Sequence, residues 1–214
     1  MGNFCTSRRT ALPVPKPERD STLHSISSDY EEVSVPAQEL LIRSYERRWT
    51  LSCVSAARPQ ASHFKGLIRT AAQSEGLFKR LWTKLSPWAA VLAGVLLSSM
   101  EGSVKAAVLS SFYGSSCLSK QEVCDLLMEI FEFSVLVTPC LVKREIDGSP
   151  EQSLALATYQ NILKTQKLPF VERISHAWMD AAPTISKEAF CKRAGQFEFV
   201  FEPSALRLYI LNTL

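Results

Sequence analysis

The first residues of the chain are the ones whose types and spacing point to covalent chemistry. Met1-Gly2 with Thr6 matches the N-myristoylation pattern M-G-x-x-x-S/T, which makes Gly2 the candidate acyl acceptor. Cys5 is placed to take a second chain, a palmitoyl group held as a thioester. Arg8, Arg9, Lys16 and Arg19 follow at once and would lie against anionic lipid headgroups. One myristoyl chain gives only marginal, reversible membrane binding, so stable anchoring takes a second signal. This segment offers two, a thiol and a basic patch.

A second set of residues bears on calcium. In Leu118 to Phe133, LSKQEVCDLLMEIFEF, Ser119 and Glu122 have the spacing of a capping box, and Val123, Leu126, Leu127 and Ile130 fall on one helical stripe. Gly114 to Cys117 reads as a tight loop, and Val104 to Tyr113 as an apolar-striped segment before it. Helix, loop and capped helix follow in the order of an EF-hand. Such a loop needs oxygen ligands at its first, third and fifth positions, glycine at the sixth and a bidentate Glu at the twelfth. With Leu118 as the apolar eighth position, Glu122 falls on the twelfth. The others are Ser111, Tyr113, Ser115 and Ser116. A single carboxylate carries too little charge for the cation. A degenerate EF-hand and an ordinary helical hairpin both fit.

An echo lies downstream, at Pro183 to Phe190. With Ile185 at the eighth position, the fifth, sixth and twelfth are Ala182, Pro183 and Ala189, and only Asp180, at the third, could bind a cation. No metal site is expected in either loop.

The rest of the chain must supply the frame for these segments. Its 214 residues are enough for one large domain or two small helical ones, and 46% hydrophobic with 21% charged is ordinary for a globular protein. A net charge of +3, from 24 basic and 21 acidic side chains, implies no nucleic-acid partner. The six cysteines contain no C-x-x-C pair and the three histidines are scattered, which argues against zinc and for free thiols. Leu85 to Met100 is uncharged but holds Pro87 and Gly94 and is shorter than the about 20 apolar residues of a spanning helix, so it reads as a buried core helix. There is no G-x-S-x-G, no Walker loop and no G-x-G-x-x-G opening a helix. No cofactor and no catalytic residues are expected.

The pattern predicts an all-α fold of two helical lobes built from degenerate, non-calcium-binding EF-hand-like units. Residues 1–35, rich in Pro, Ser and Glu, read as a lipidated disordered tether. Residues 36–142 form the first lobe, 143–150 (KREIDGSP) a linker, and 151–214 the second lobe. In the first lobe, Leu41, Tyr45 and Trp49 mark an apolar helix face, with Arg43, Glu46, Arg47 and Arg48 on the solvated ones, and Thr138-Pro139 ends the segment after the capped helix. In the second, Leu154, Ala157, Ile162 and Leu163 mark one helix and Phe170, Val171, Ile174 and Trp178 another. The end, FEFVF at 197–201, alternates like a strand, before a final helix at Leu206, Tyr209 and Ile210.

Taken together, the chain resembles the N-terminal half of the myristoylated, lysosome-associated TLDc-domain proteins that act with the mTOR kinase. The matching residues are the opening Met1-Gly2-Asn3, Phe64-Lys65-Gly66-Leu67 through Leu85, Leu96-Leu97 with Met100-Glu101-Gly102-Ser103-Val104-Lys105, and Leu118 to Val135, with a looser match over Ala155 to Ile210. The resemblance implies a lipid acceptor at Gly2, a calcium-incompetent EF-hand-like body and a protein partner such as a kinase complex or a TLDc-type assembly. It implies a cytoplasmic protein held on endomembranes, the lysosome above others. The chain stops where the family's TLDc domain would begin, so functions of that domain, binding to the vacuolar proton pump included, do not carry over. The expectation is a non-enzymatic membrane adaptor. The alternatives are a divergent calcium sensor and an enzyme of unrecognised fold, for which a pocket holding His63 or His176 beside a cysteine would be the sign.

Overall fold

The computed structural model describes residues 37–47, 87–146 and 150–214, and over these the protein is all-α with one small sheet. Residues 37–47 form α1. Then come α2 (Pro87–Leu96), α3 (Gly102–Ser110), strand β1 (Cys117–Ser119) and α4 (Lys120–Glu132). A π turn (Phe133–Val137) leads into α5 (Thr138–Glu145), followed by α6 (Pro150–Lys164) and α7 (Lys167–Met179). Strand β2 (Thr184–Ser186), α8 (Lys187–Gln196), a 3-10 turn (Glu198–Phe201) and α9 (Pro203–Leu211) complete the order.

The local signals around Ser119 hold in three dimensions. The Glu122 N–H donates to Ser119 Oγ at 3.2 Å while the Ser119 N–H donates to Glu122 Oε2 at 2.7 Å, so each side chain satisfies an orphan donor of the other. Val123, Leu126, Leu127 and Ile130 are all buried, as is the α7 stripe of Phe170, Val171, Ile174 and Trp178. Ser186 caps α8 in the same way through the Ala189 N–H, but Ala189 cannot return the bond.

One buried apolar cluster draws residues from every one of these elements, from Ile42 of α1 to Ile210 of α9. The segments before and after 143–150 therefore share a core. Where α3 meets α8 and the 3-10 turn, the backbones come close enough that a side chain at Gly102 would press its neighbours aside by a few tenths of an ångström. A Cβ on Gly102 would lie 3.2 Å from the Glu198 Cα and 3.4 Å from the Ala194 carbonyl.

Three sequence expectations are corrected. Thr138-Pro139 does not end a helix. Pro139 has no N–H and its ring crowds the carbonyl four residues back, and the extra residue of the π turn takes up that misfit. The Thr138 N–H bonds the Phe133 carbonyl, and Thr138 Oγ1 donates to the same oxygen at 2.9 Å. The alternating 197–201 segment is a 3-10 turn and not a strand. Its phenylalanines go to two partners: Trp178 takes Phe197 edge-on at 6.2 Å and stacks on Phe201 at 5.9 Å, while Phe199 stacks on Tyr209 at 4.3 Å. On α6 the buried face is Leu156, Tyr159 and Leu163, while Leu154 is 70% exposed.

Candidate functional site

The lipidation candidates Gly2 and Cys5 and the basic residues Arg8, Arg9, Lys16 and Arg19 lie outside the described residues, as does His63. His176 is exposed near the end of α7. Among the described residues, no group of three or more His, Cys, Asp or Glu is placed to hold a metal ion, and no helix is long and apolar enough to cross a membrane.

The two loops do come together. β1 and β2 pair antiparallel, with Leu118 opposite Ile185, the two residues assigned to equivalent loop positions from sequence. Backbone bonds from Lys120 to Pro183 and from Lys187 to Ser116, at 3.0 and 3.1 Å, extend the pairing at both ends. Each loop also receives a cation from α8. Lys187 Nζ donates to the Tyr113 carbonyl at 2.6 Å, at the third position of the first loop. Arg193 donates to the Ala177 carbonyl, just before the second loop, at 2.8 Å and lies 3.9 Å from Asp180, the one carboxylate at a ligand position of that loop. Asp180 and Ala181 take left-handed backbone angles there, φ 48 and 63. Glu122 is committed to its cap, and bonds from the Ser119 backbone and hydroxyl hold its carboxyl below the usual range. Burial, with Glu129, Asp125 and Glu122 nearby, pushes the Tyr113 phenol up to about 12.

A second constellation was not visible in the sequence. Arg207, fully buried on α9, spends all five of its N–H donors. Two go to Glu39 at 2.9 and 3.1 Å, two to Glu46 at 2.8 and 2.9 Å, and one to the Ser134 carbonyl at 2.9 Å. Tyr159 adds its hydroxyl to Glu39, and Arg43 Nε stands 3.5 Å from the same carboxylate. Burial depresses the Arg207 pKa, but the bonds and charges of Glu46 and Glu39 together outweigh it and hold the group charged. Burial also raises the Glu46 carboxyl, although Arg207 opposes that shift. Glu46, expected on a solvated face of α1, is thus turned inward. The sequence holds only a partial signal: Glu39, Ile42 and Glu46 share one helical stripe and Arg207 is the lone charge in ALRLYIL, but nothing local joins the two.

Beside this cluster opens a cleft of about 290 Å³. Arg43, Glu46 and Arg47 of α1, Leu96 to Ser98, Lys105 of α3, and Glu202 to Ser204 at the start of α9 line it. Lys105 is only 2% exposed and donates to the Leu96 and Phe201 carbonyls, each at 3.1 Å. Burial lowers its pKa to about 8, against the pull of Glu202 and Glu198. Among the described residues, no histidine or cysteine lines this cleft.

No family model, curated protein or solved structure matches this chain.

Proposed function

We propose that this protein is an N-myristoylated peripheral membrane adaptor. Gly2 is the lipid acceptor, Cys5 a second acylation point, and Arg8, Arg9, Lys16 and Arg19 the contact with anionic lipid. The helical body is a pair of EF-hand-like units, similar to those of the lysosome-associated TLDc-domain family. It binds a protein partner, a kinase complex or a TLDc-type assembly, in mTOR signalling at the cytosolic face of the lysosome.

The observation that supports the body's role is the pairing of the two segments through β1 and β2, with Lys187 of α8 bonded into the first of them. A calcium sensor must exchange its ion for water to change state. Here Lys187, carried covalently on α8, bonds the first loop, so the paired units favour a fixed packing surface over a switch. The decisive experiment is Gly2→Ala in cells with myristate-analogue labelling. Loss of label and release from the membrane pellet are expected. Unchanged pelleting would sink the anchor.

A further inference from the structure

The cleft at the start of α9 has a use that neither the lipid anchor nor the paired loops explain. We propose that it binds the phosphate of a phosphomonoester through Lys105, Arg47, Arg43 and the first backbone N–H groups of α9.

The charges favour an anion. Glu46 forms part of the wall, but Arg207 takes both its oxygens. Arg43 is answered by Glu39. Among the lining residues that leaves Arg47 and Lys105 against Glu202, which is exposed, with Glu198 acting on Lys105 from outside the lining. Among the described residues neither Arg47 nor Lys105 makes an ion pair. With the partial positive charge of the helix end, the cleft carries a surplus of about one to two charges. A phosphomonoester, at about −1.5 to −2 near neutral pH, matches it better than a singly charged diester or carboxylate.

Lys105 is the feature that asks for a ligand. A buried ammonium without a carboxylate partner is expensive, because two carbonyl dipoles replace only part of its hydration. Those two bonds also leave one of its three donors for an occupant of the cleft. The helix end supplies the rest. Pro203 begins α9, Glu202 makes no side-chain cap bond, and the N–H groups of Ser204 and Ala205 have no intrahelical acceptor. At about 290 Å³ the cleft sits at the lower edge of small-molecule sites, enough for a phosphate and the few atoms that carry it.

The phosphate could belong to a soluble metabolite or to a lipid headgroup, and the test separates them. The full chain is made without a myristoyltransferase, so a failed anchor at Gly2 and a failed cleft are read independently. Inorganic phosphate and glycerol 3-phosphate are titrated by calorimetry, with amide shifts followed at Ser204 and Ala205. Flotation is measured on phosphatidylcholine vesicles carrying either phosphatidylinositol 4-phosphate or phosphatidylserine. Saturable one-to-one phosphate binding is expected, weakened about tenfold by Arg47→Glu, the size of one charge-assisted bond. Flotation on the monophosphate lipid but not on phosphatidylserine assigns the headgroup as the source; binding of the soluble esters alone assigns a metabolite. Lys105→Met should abolish binding. Because it also frees two buried carbonyls, Arg47→Glu, at an exposed position, decides the matter if that variant does not fold. Absence of saturable phosphate binding, or binding unchanged in Arg47→Glu, overturns the proposal.

Discussion

Arg207 and Glu39, 168 positions apart in the chain, meet in the interior through two hydrogen bonds of 2.9 and 3.1 Å. With Glu46 they fasten the first described helix to the last. Removing the guanidinium alone strands two carboxylates in the core. Arg207→Met is therefore expected to lose about 3–5 kcal/mol in urea unfolding, the range for breaking a buried pair from one side. Replacing Glu39, Glu46 and Arg207 together by apolar residues should recover most of that loss. A small effect of Arg207→Met would show that the cluster is not closed in solution.

The buried Lys105 predicts a rise in stability at alkaline pH. Its folded-state pKa is near 8 against 10.5 in the unfolded chain, so between these values the unfolded state binds more protons. This contribution is fully present above pH 10.5 and is lost as pH falls through 8. Tyr113 works in the opposite sense, because burial pushes its pKa up to about 12 and its contribution is lost on going above pH 10. The difference between the native chain and Lys105→Met, followed by urea unfolding from pH 7 to 10.5, isolates the lysine. A flat difference would mean that Lys105 is not buried as a cation.

What could be read from the sequence was what local physics decides. The Ser119–Glu122 cap and the stripes of α4 and α7 depend on neighbours within a turn or two, and both stripes are buried as expected. The pairing of Leu118 with Ile185 was implied by their equivalent places in two echoing segments. The inward turn of Glu46 was not legible, because the arginine that makes it tolerable lies 161 positions away. Lys105 was hidden for a related reason: its partners are backbone carbonyls, which no side-chain pattern announces. The 3-10 turn at 198–201 misled because Phe197 and Phe201 pack on Trp178 and Phe199 on Tyr209, an alternation that a sheet would also give.

The two caps offer a matched comparison. Ser119→Ala removes an acceptor that completes a reciprocal box, whereas Ser186→Ala removes a single bond to the Ala189 N–H. A lost cap costs about 1 kcal/mol. Ser119→Ala should lie above that value and Ser186→Ala near or below it, since the first also frees Glu122. Equal losses in thermal unfolding would show that the returning Glu122 bond adds nothing.

Lys187 tests whether the first loop is held by its own cation. Its Nζ reaches the Tyr113 carbonyl from α8, 74 positions downstream. Lys187→Met keeps the bulk of the side chain but removes the charge-assisted bond, which is worth about 1.5–3 kcal/mol when made to a charged group. The lost tether should leave the hydrogen bonds of Phe112 and Tyr113 to Leu109 and Ser110 open more often, raising amide exchange there about tenfold or more. Millimolar calcium should restore nothing, because Glu122 is the loop's only carboxylate at a ligand position and is spent on Ser119. Calorimetry on the variant then gives no binding heat. If calcium bound the variant and slowed exchange again, Lys187 would be displacing a competent ion from a true calcium loop, and the paired units would be a sensor held shut.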